Sequence, residues 1–189
     1  MGIPGFQRRT AGALLILFFS GILVQSPEII QAQTVTAIHT YVTWWGTEVD
    51  KLASLWLIKR FVDPRAQFIF LPKGTLPAKD AGTPIDLPIT SLRRDARRSC
   101  FEAVEAHFKI RAACLDQLRR SVHDLELNYW QTPKDARTTE LNRNMRAVTG
   151  DETRDQRLIL QEAFSVLDSF VGLRFVKGVV ECRGVGQKQ

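Results

Sequence analysis

The chain has 189 residues, 44% hydrophobic and 24% charged, a composition that excludes disordered and collagenous classes and a length that suits one globular domain. Its 26 Lys and Arg against 20 Asp and Glu leave a formal charge of +6, a modest excess compatible with nucleic acid, an anionic membrane or small anions. Internal repeats, a P-loop, a G-x-G-x-x-G turn and a Ser-His-Asp pattern in recognisable context are all missing from the sequence.

Residues 1–32 read as a signal peptide or an N-terminal membrane anchor. Arg8 and Arg9 form a positive start, and Ala11 to Val24 is an uncharged apolar run. That run is shorter than the roughly 20 residues of a comfortable membrane span. Ile30-Gln31-Ala32 offers a cleavage site, giving a mature chain from Gln33. Gln7 and Thr10 make a poor twin-arginine context, so the export route stays open. Either way the domain, over residues 36–175, is expected outside the cytoplasm, at a periplasmic address or anchored to the inner membrane. That address ranks nucleic acid last among the partner classes and confines membrane contact to the leader.

The next stretch reads as strand, helix, strand. Ile38 to Val42 is β-prone, and Trp44-Trp45-Gly46 makes a turn. Thr47 and Asp50 have the spacing of a capping pair at a helix start. Val49, Leu52, Ala53 and Trp56 form an i, i+3, i+4, i+7 stripe, continued by Leu57, Ile58, Phe61 and Val62. Trp56 reads as core, and Arg60, four residues on, is placed to lie over its indole or to point into a site. Asp63-Pro64 stops the helix. Ala66 to Leu71 reads as a buried-type strand, parallel to the first if the two are neighbours.

Pro72 to Ser99 is a long link, with Thr83 to Pro88 as a short third strand. It ends in Arg93, Arg94, Arg97 and Arg98, just before a helix expected from about Arg97 to Phe108. Arginines beside free helix N–H groups suit an oxyanion; a solvated basic face is the plain alternative. A helix from Ala112 to Leu127 follows, with Leu115, Leu118, Val122 and Leu125 inward. On it, His123 and Glu126 are i, i+3, and Arg120 and Asp124 are spaced for an i, i+4 ion pair. His123 with Asp124 and Glu126 is a candidate divalent-metal set, or else His123 is a hydrogen-bonded histidine at the core edge. Two more helices run from Ala136 to Val148 and from Asp151 to about Val171, the second ended by Gly172, with residues 176–189 as a flexible tail. The three cysteines read as buried thiols at Cys100 and Cys114, their heights differing by roughly 9 Å across the helix pair, and as a tail residue at Cys182. The fold class is therefore α+β: a small, mostly parallel sheet of two to three strands with a βαβ start, packed with about five helices.

Val49 to Phe68, VDKLASLWLIKRFVDPRAQF, resembles the signature of the chromate-resistance domain family, whose pattern runs V-D-R-x-A-S-x-W-L-I-R-R-F-I-D-P-x-A-x-F. Cys100-Phe101-Glu102 is similar to that family's C-T/S-F-E, and Val122 to Leu127 to its V-H-D-x-D-L, the whole covering about residues 41–172. Such domains form the C-terminal part of ChrB-type chromate-response proteins and also occur alone as exported chromate-resistance proteins. The resemblance implies a polar pocket for chromate or a related oxyanion, or for a metal. Asp50, Lys51, Trp56, Arg60, Arg94, Arg98, Cys100 and Glu102 are its candidate ligand residues, and His123, Asp124 and Glu126 its metal candidates. Here Lys51 stands for the usual Arg, Glu126 for the usual Asp, and the usual Gly-His pair before the cysteine is replaced by Arg93 to Asp95. A metal- or thiol-dependent redox enzyme and a regulatory or interaction domain are the alternatives.

Overall fold

The computed structural model describes residues 29–30, 39–132, 135–151, 153–176 and 179–182. In chain order these form β1 (Ile29–Ile30), β2 (Thr40–Trp44), α1 (Val49–Leu57), β3 (Gln67–Leu71), β4 (Thr83–Pro84), α2 (Cys100–His107), α3 (Asp116–Leu127), α4 (Ala136–Thr149), α5 (Gln156–Val171), β5 (Leu173–Val176) and β6 (Val179–Cys182). A π-helical turn, Ile58–Val62, continues α1, and a 3-10 turn, Ala113–Leu115, leads into α3.

Two small sheets flank the helices. In the first, β3 and β4 both pair with β2 in parallel, order β3-β2-β4. In the second, β1-β6-β5 are antiparallel. The α+β class expected from the sequence holds, with its parallel βαβ start and, among the described residues, five α-helices. The antiparallel sheet was not foreseen, and it takes in residues read as a flexible tail. The leader falls almost wholly outside the described residues. Among those described, no helix is long and apolar enough to cross a membrane.

Helix α1 is the central element because every residue from Asp50 to Leu57 is buried. Its apolar stripe meets α2, α3 and α5, so polar residues on its other sides are buried too and need partners. Past Leu57 the helix widens, and the Asp63 N–H donates to the Ile58 carbonyl at 2.9 Å. Asp63, 1% exposed, then accepts from the N–H groups of Arg65 (2.8 Å) and His39 (3.1 Å), which ties the end of the helix to the start of β2. Burial raises its pKa, but these hydrogen bonds and His39 outweigh that and hold it below the ordinary range.

Several expectations are corrected. The strand Gln67–Leu71 is an edge strand with Ile69 exposed, not a buried one: its apolar run reports hydrophobicity and not its place in the sheet. Cys114 and Cys182 form a disulfide, with Cα atoms 5.9 Å apart, because β6 returns to the 3-10 turn before α3. The last helix begins at Gln156, not Asp151, since Asp155 is the residue whose side chain accepts the Arg157 N–H. Gly172 ends it as expected, at φ 71°.

Candidate functional site

The site begins at the first turn of α1. Glu48 occupies the N-cap position and no side chain caps that helix, so the expected Thr47–Asp50 pair does not form. Asp50 instead caps a different helix. Its Oδ2 accepts the Cys100 N–H at 2.7 Å and its Oδ1 the Phe101 N–H at 2.8 Å, at the start of α2. Ser99 and Glu102 complete that end as a capping box: Ser99 Oγ accepts the Glu102 N–H at 3.2 Å, and Glu102 Oε2 accepts the Ser99 N–H at 2.8 Å. The first three amides of α2 are thereby used. The oxyanion position expected there is filled by a carboxylate of the chain itself. Burial pushes Asp50 up to about 7, against the pull of the two amides, and Glu126 and Asp86 add to the rise.

Around Asp50 lies a network of charges. Lys51 is 6% exposed, with its Nζ 3.4 Å from Asp86 Oδ2 and 3.5 Å from Glu48 Oε2. Burial also raises Asp86, with Lys51 pulling it back. Arg94 pairs with Glu126, while the half-buried Arg98 sits 3.6 Å from Asp95. Cys100 is fully buried and its thiol donates to the Leu92 carbonyl at 3.4 Å. Burial, then Asp50 and Asp86, raise that thiol well above its usual range, so it is not a ready thiolate.

The histidine segment opens onto solvent. His123 Nδ1 is 2.9 Å from Glu102 Oε2, and both line a cleft of about 620 Å³ between α3 and the start of α4. Arg120, Asp124, Asn128, Gln131 and Thr132 share it. Desolvation raises Glu102, yet the His123 and Ser99 hydrogen bonds hold it below the ordinary carboxylate range. Arg120 donates to Gln117 Oε1 at 2.9 Å, so the expected ion pair with Asp124 is not made; Asp124 accepts from Asn128 instead. His123, Asp124 and Glu126 thus turn to three different partners. Among the described residues no group of three His, Cys, Asp or Glu side chains is arranged to hold a metal ion.

Trp56 and Arg60 belong elsewhere. Arg60 makes two bonds to Asp168 on α5, Nε to Oδ1 at 2.9 Å and Nη2 to Oδ2 at 2.8 Å, and Trp56 Nε1 donates to the same Oδ1 at 2.7 Å. The guanidinium lies over Phe164 (5.6 Å) and Phe175 (5.1 Å), not over the Trp56 indole. The single pocket expected from the sequence is therefore divided. Glu102, His123 and Asp124 share the cleft; Asp50, Lys51, Arg94, Cys100 and Glu126 form the network behind α2; Trp56 and Arg60 serve the joint with α5; and Arg98 stays at the surface. Sequence reasoning missed Asp168, whose signal is a carboxylate set between the core residues Leu167 and Phe170. It also missed that Arg120 and His123, three residues apart, face one cleft.

A family model described as ChrB, C-terminal domain, matches residues 41–173, well over half of the chain. No curated protein and no solved structure matches it.

Proposed function

The chain belongs to the ChrB C-terminal-domain family, with a chromate-resistance-related role, and on that premise we propose that it binds chromate, or an oxyanion of the same tetrahedral shape, in the cleft at His123. The observation that carries this reading is the His123–Glu102 pair. Glu102 fixes the ring through Nδ1, which leaves Nε2, engaged by no described residue, as the nitrogen offered to the cleft. Arg120 stands one turn earlier on the same helix, and Asn128, Gln131 and Thr132 add neutral donors at the rim. With Nδ1–H donated to the Glu102 carboxylate, Nε2 carries a proton only in the imidazolium form, and that form together with a planar guanidinium suits a tetrahedral oxyanion.

Binding is favoured over redox catalysis because the nearby thiol, Cys100, is buried and held protonated. An anion is favoured over a metal because the three candidate metal ligands have separate partners. Export is supported by the leader and by the Cys114–Cys182 disulfide, a bond that persists in oxidising compartments.

Calorimetric titration of the purified chain with chromate, sulfate and phosphate tests the proposal. Charge-assisted hydrogen bonds contribute about 1.5–3 kcal/mol each, so His123→Ala and Arg120→Ala are each expected to weaken binding at least about tenfold. A flat isotherm for all three anions, or two variants that bind as the parent does, would sink it.

A further inference from the structure

The open edge of the parallel sheet carries a second site. Parallel pairing makes alternate residues of a strand bond to one neighbour. On β3, the Gln67 N–H donates to the His39 carbonyl at 3.0 Å, and the Leu71 carbonyl accepts the Trp45 N–H at 3.0 Å. Gln67, Ile69 and Leu71 therefore bond to β2, and Phe68 and Phe70 direct their N–H and C=O groups to the other side. Among the described residues no strand lies on that side, because β3 ends the order β3-β2-β4.

The rings of these same two residues line a cleft of about 630 Å³, bounded by α5. Leu160 and Phe164 add apolar wall, Arg157 supplies positive charge, and Arg60 lines the cleft with its charge balanced by Asp168. Arg60 is held rigid by Asp168. Arg157 sits exposed in the first turn of α5, whose end is capped by Asp155, and its guanidinium has no carboxylate partner among the described residues. Unpaired strand groups, an apolar trough and basic charge thus meet on one strand and one helix.

We propose that β3 accepts an extended acidic segment of a partner protein as an added strand. The segment's backbone would bond to Phe68 and Phe70, an apolar side chain would enter the trough, and a carboxylate would meet Arg157. The chain's charge of +6 favours an acidic partner over a second copy of itself. This surface is separate from the His123 cleft, and the inference does not rest on the oxyanion reading.

The test uses the whole oxidised chain and a fluorescein-labelled peptide of alternating Glu and Val, followed by fluorescence anisotropy. Saturable binding is expected, weakened at least about tenfold by N-methylating alternate peptide amides, and to a similar degree by Arg157→Glu. His123→Ala and added sulfate in the cleft's range are expected to leave peptide binding unchanged at constant ionic strength. Failure to bind, or equal binding of the N-methylated peptide, overturns the proposal. So does slow hydrogen exchange at the Phe68 and Phe70 amides in the free chain, whether from a dimer or from the chain's own residues covering the edge.

Discussion

A carboxylate with 3% of its surface exposed must find donors or take up a proton, and Asp50 is poised between the two. It accepts two backbone N–H bonds from α2, which favour the charged form, yet burial lifts its pKa from 3.8 to about 7. Asp50→Asn keeps the shape but turns an amide NH₂ toward one of those N–H donors. The expected loss is about 1–3 kcal/mol in urea unfolding. The pH dependence follows from the direction of the shift. A carboxyl raised in the folded state binds its proton more tightly there, so its contribution is complete below 3.8 and drains away as pH rises to about 7. The difference in stability between the parent and Asp50→Asn is expected to be widest at and below about pH 4, to narrow as pH rises toward about 7, and to level off above that. A difference that grows with pH would contradict the burial argument.

At the scale of elements, the approach of β4 to β2 depends on Gly82. Its φ is 126°, and a Cβ there would run into the Thr40 carbonyl, 2.8 Å from its carbon. Gly82→Ala is expected to cost about 1–3 kcal/mol from the backbone alone, and more because β4 pairs with β2 at the next two residues. Gly74→Ala is the control: its φ is 89°, but nothing lies within 4 Å of the new methyl, so only the backbone strain remains. Thermal unfolding should rank Gly82→Ala clearly below Gly74→Ala; equal losses would show that the β2–β4 approach does not matter. The periodic elements were legible because spacing encodes burial directly. Leu118 and Val122 on α3, with Leu115 in the turn before it, and Ile159, Ala163 and Leu167 on α5 are buried as their stripes imply. What a local window could not show was pairing across the chain. Asp50 was recognised as a cap, but the helix it caps starts fifty residues later. The apolar strand Gln67–Leu71 does not announce that it lies at an edge. The histidine segment and Glu102 are each marked by a motif, whereas their pairing and the place of Arg120 beside them emerge only when α2 and α3 come together.

On the scale of the whole molecule, one covalent link joins the middle of the chain to its last strand. The Cys114–Cys182 disulfide spans 68 residues and fastens the β5–β6 hairpin to the turn that starts α3. That hairpin also brings Phe175 over Arg60, so the bond supports the joint between α1 and α5 through packing rather than direct contact. Closing a loop of this size restricts the unfolded chain and is worth about 2–4 kcal/mol, though the balance of entropy and enthalpy depends on the account used. At roughly 2–4 °C per kcal/mol for a domain of this size, Cys114→Ser, or reduction of the parent, is expected to lower the Tm by roughly 5–15 °C. Thiol titration gives an independent check. The oxidised native chain should expose no reactive thiol, since Cys100 is buried, and denaturation without reductant should release that one alone. Three thiols in the denatured oxidised chain, together with an unchanged Tm on reduction, would remove the disulfide from the account of stability and, with it, one of the two supports for an exported protein.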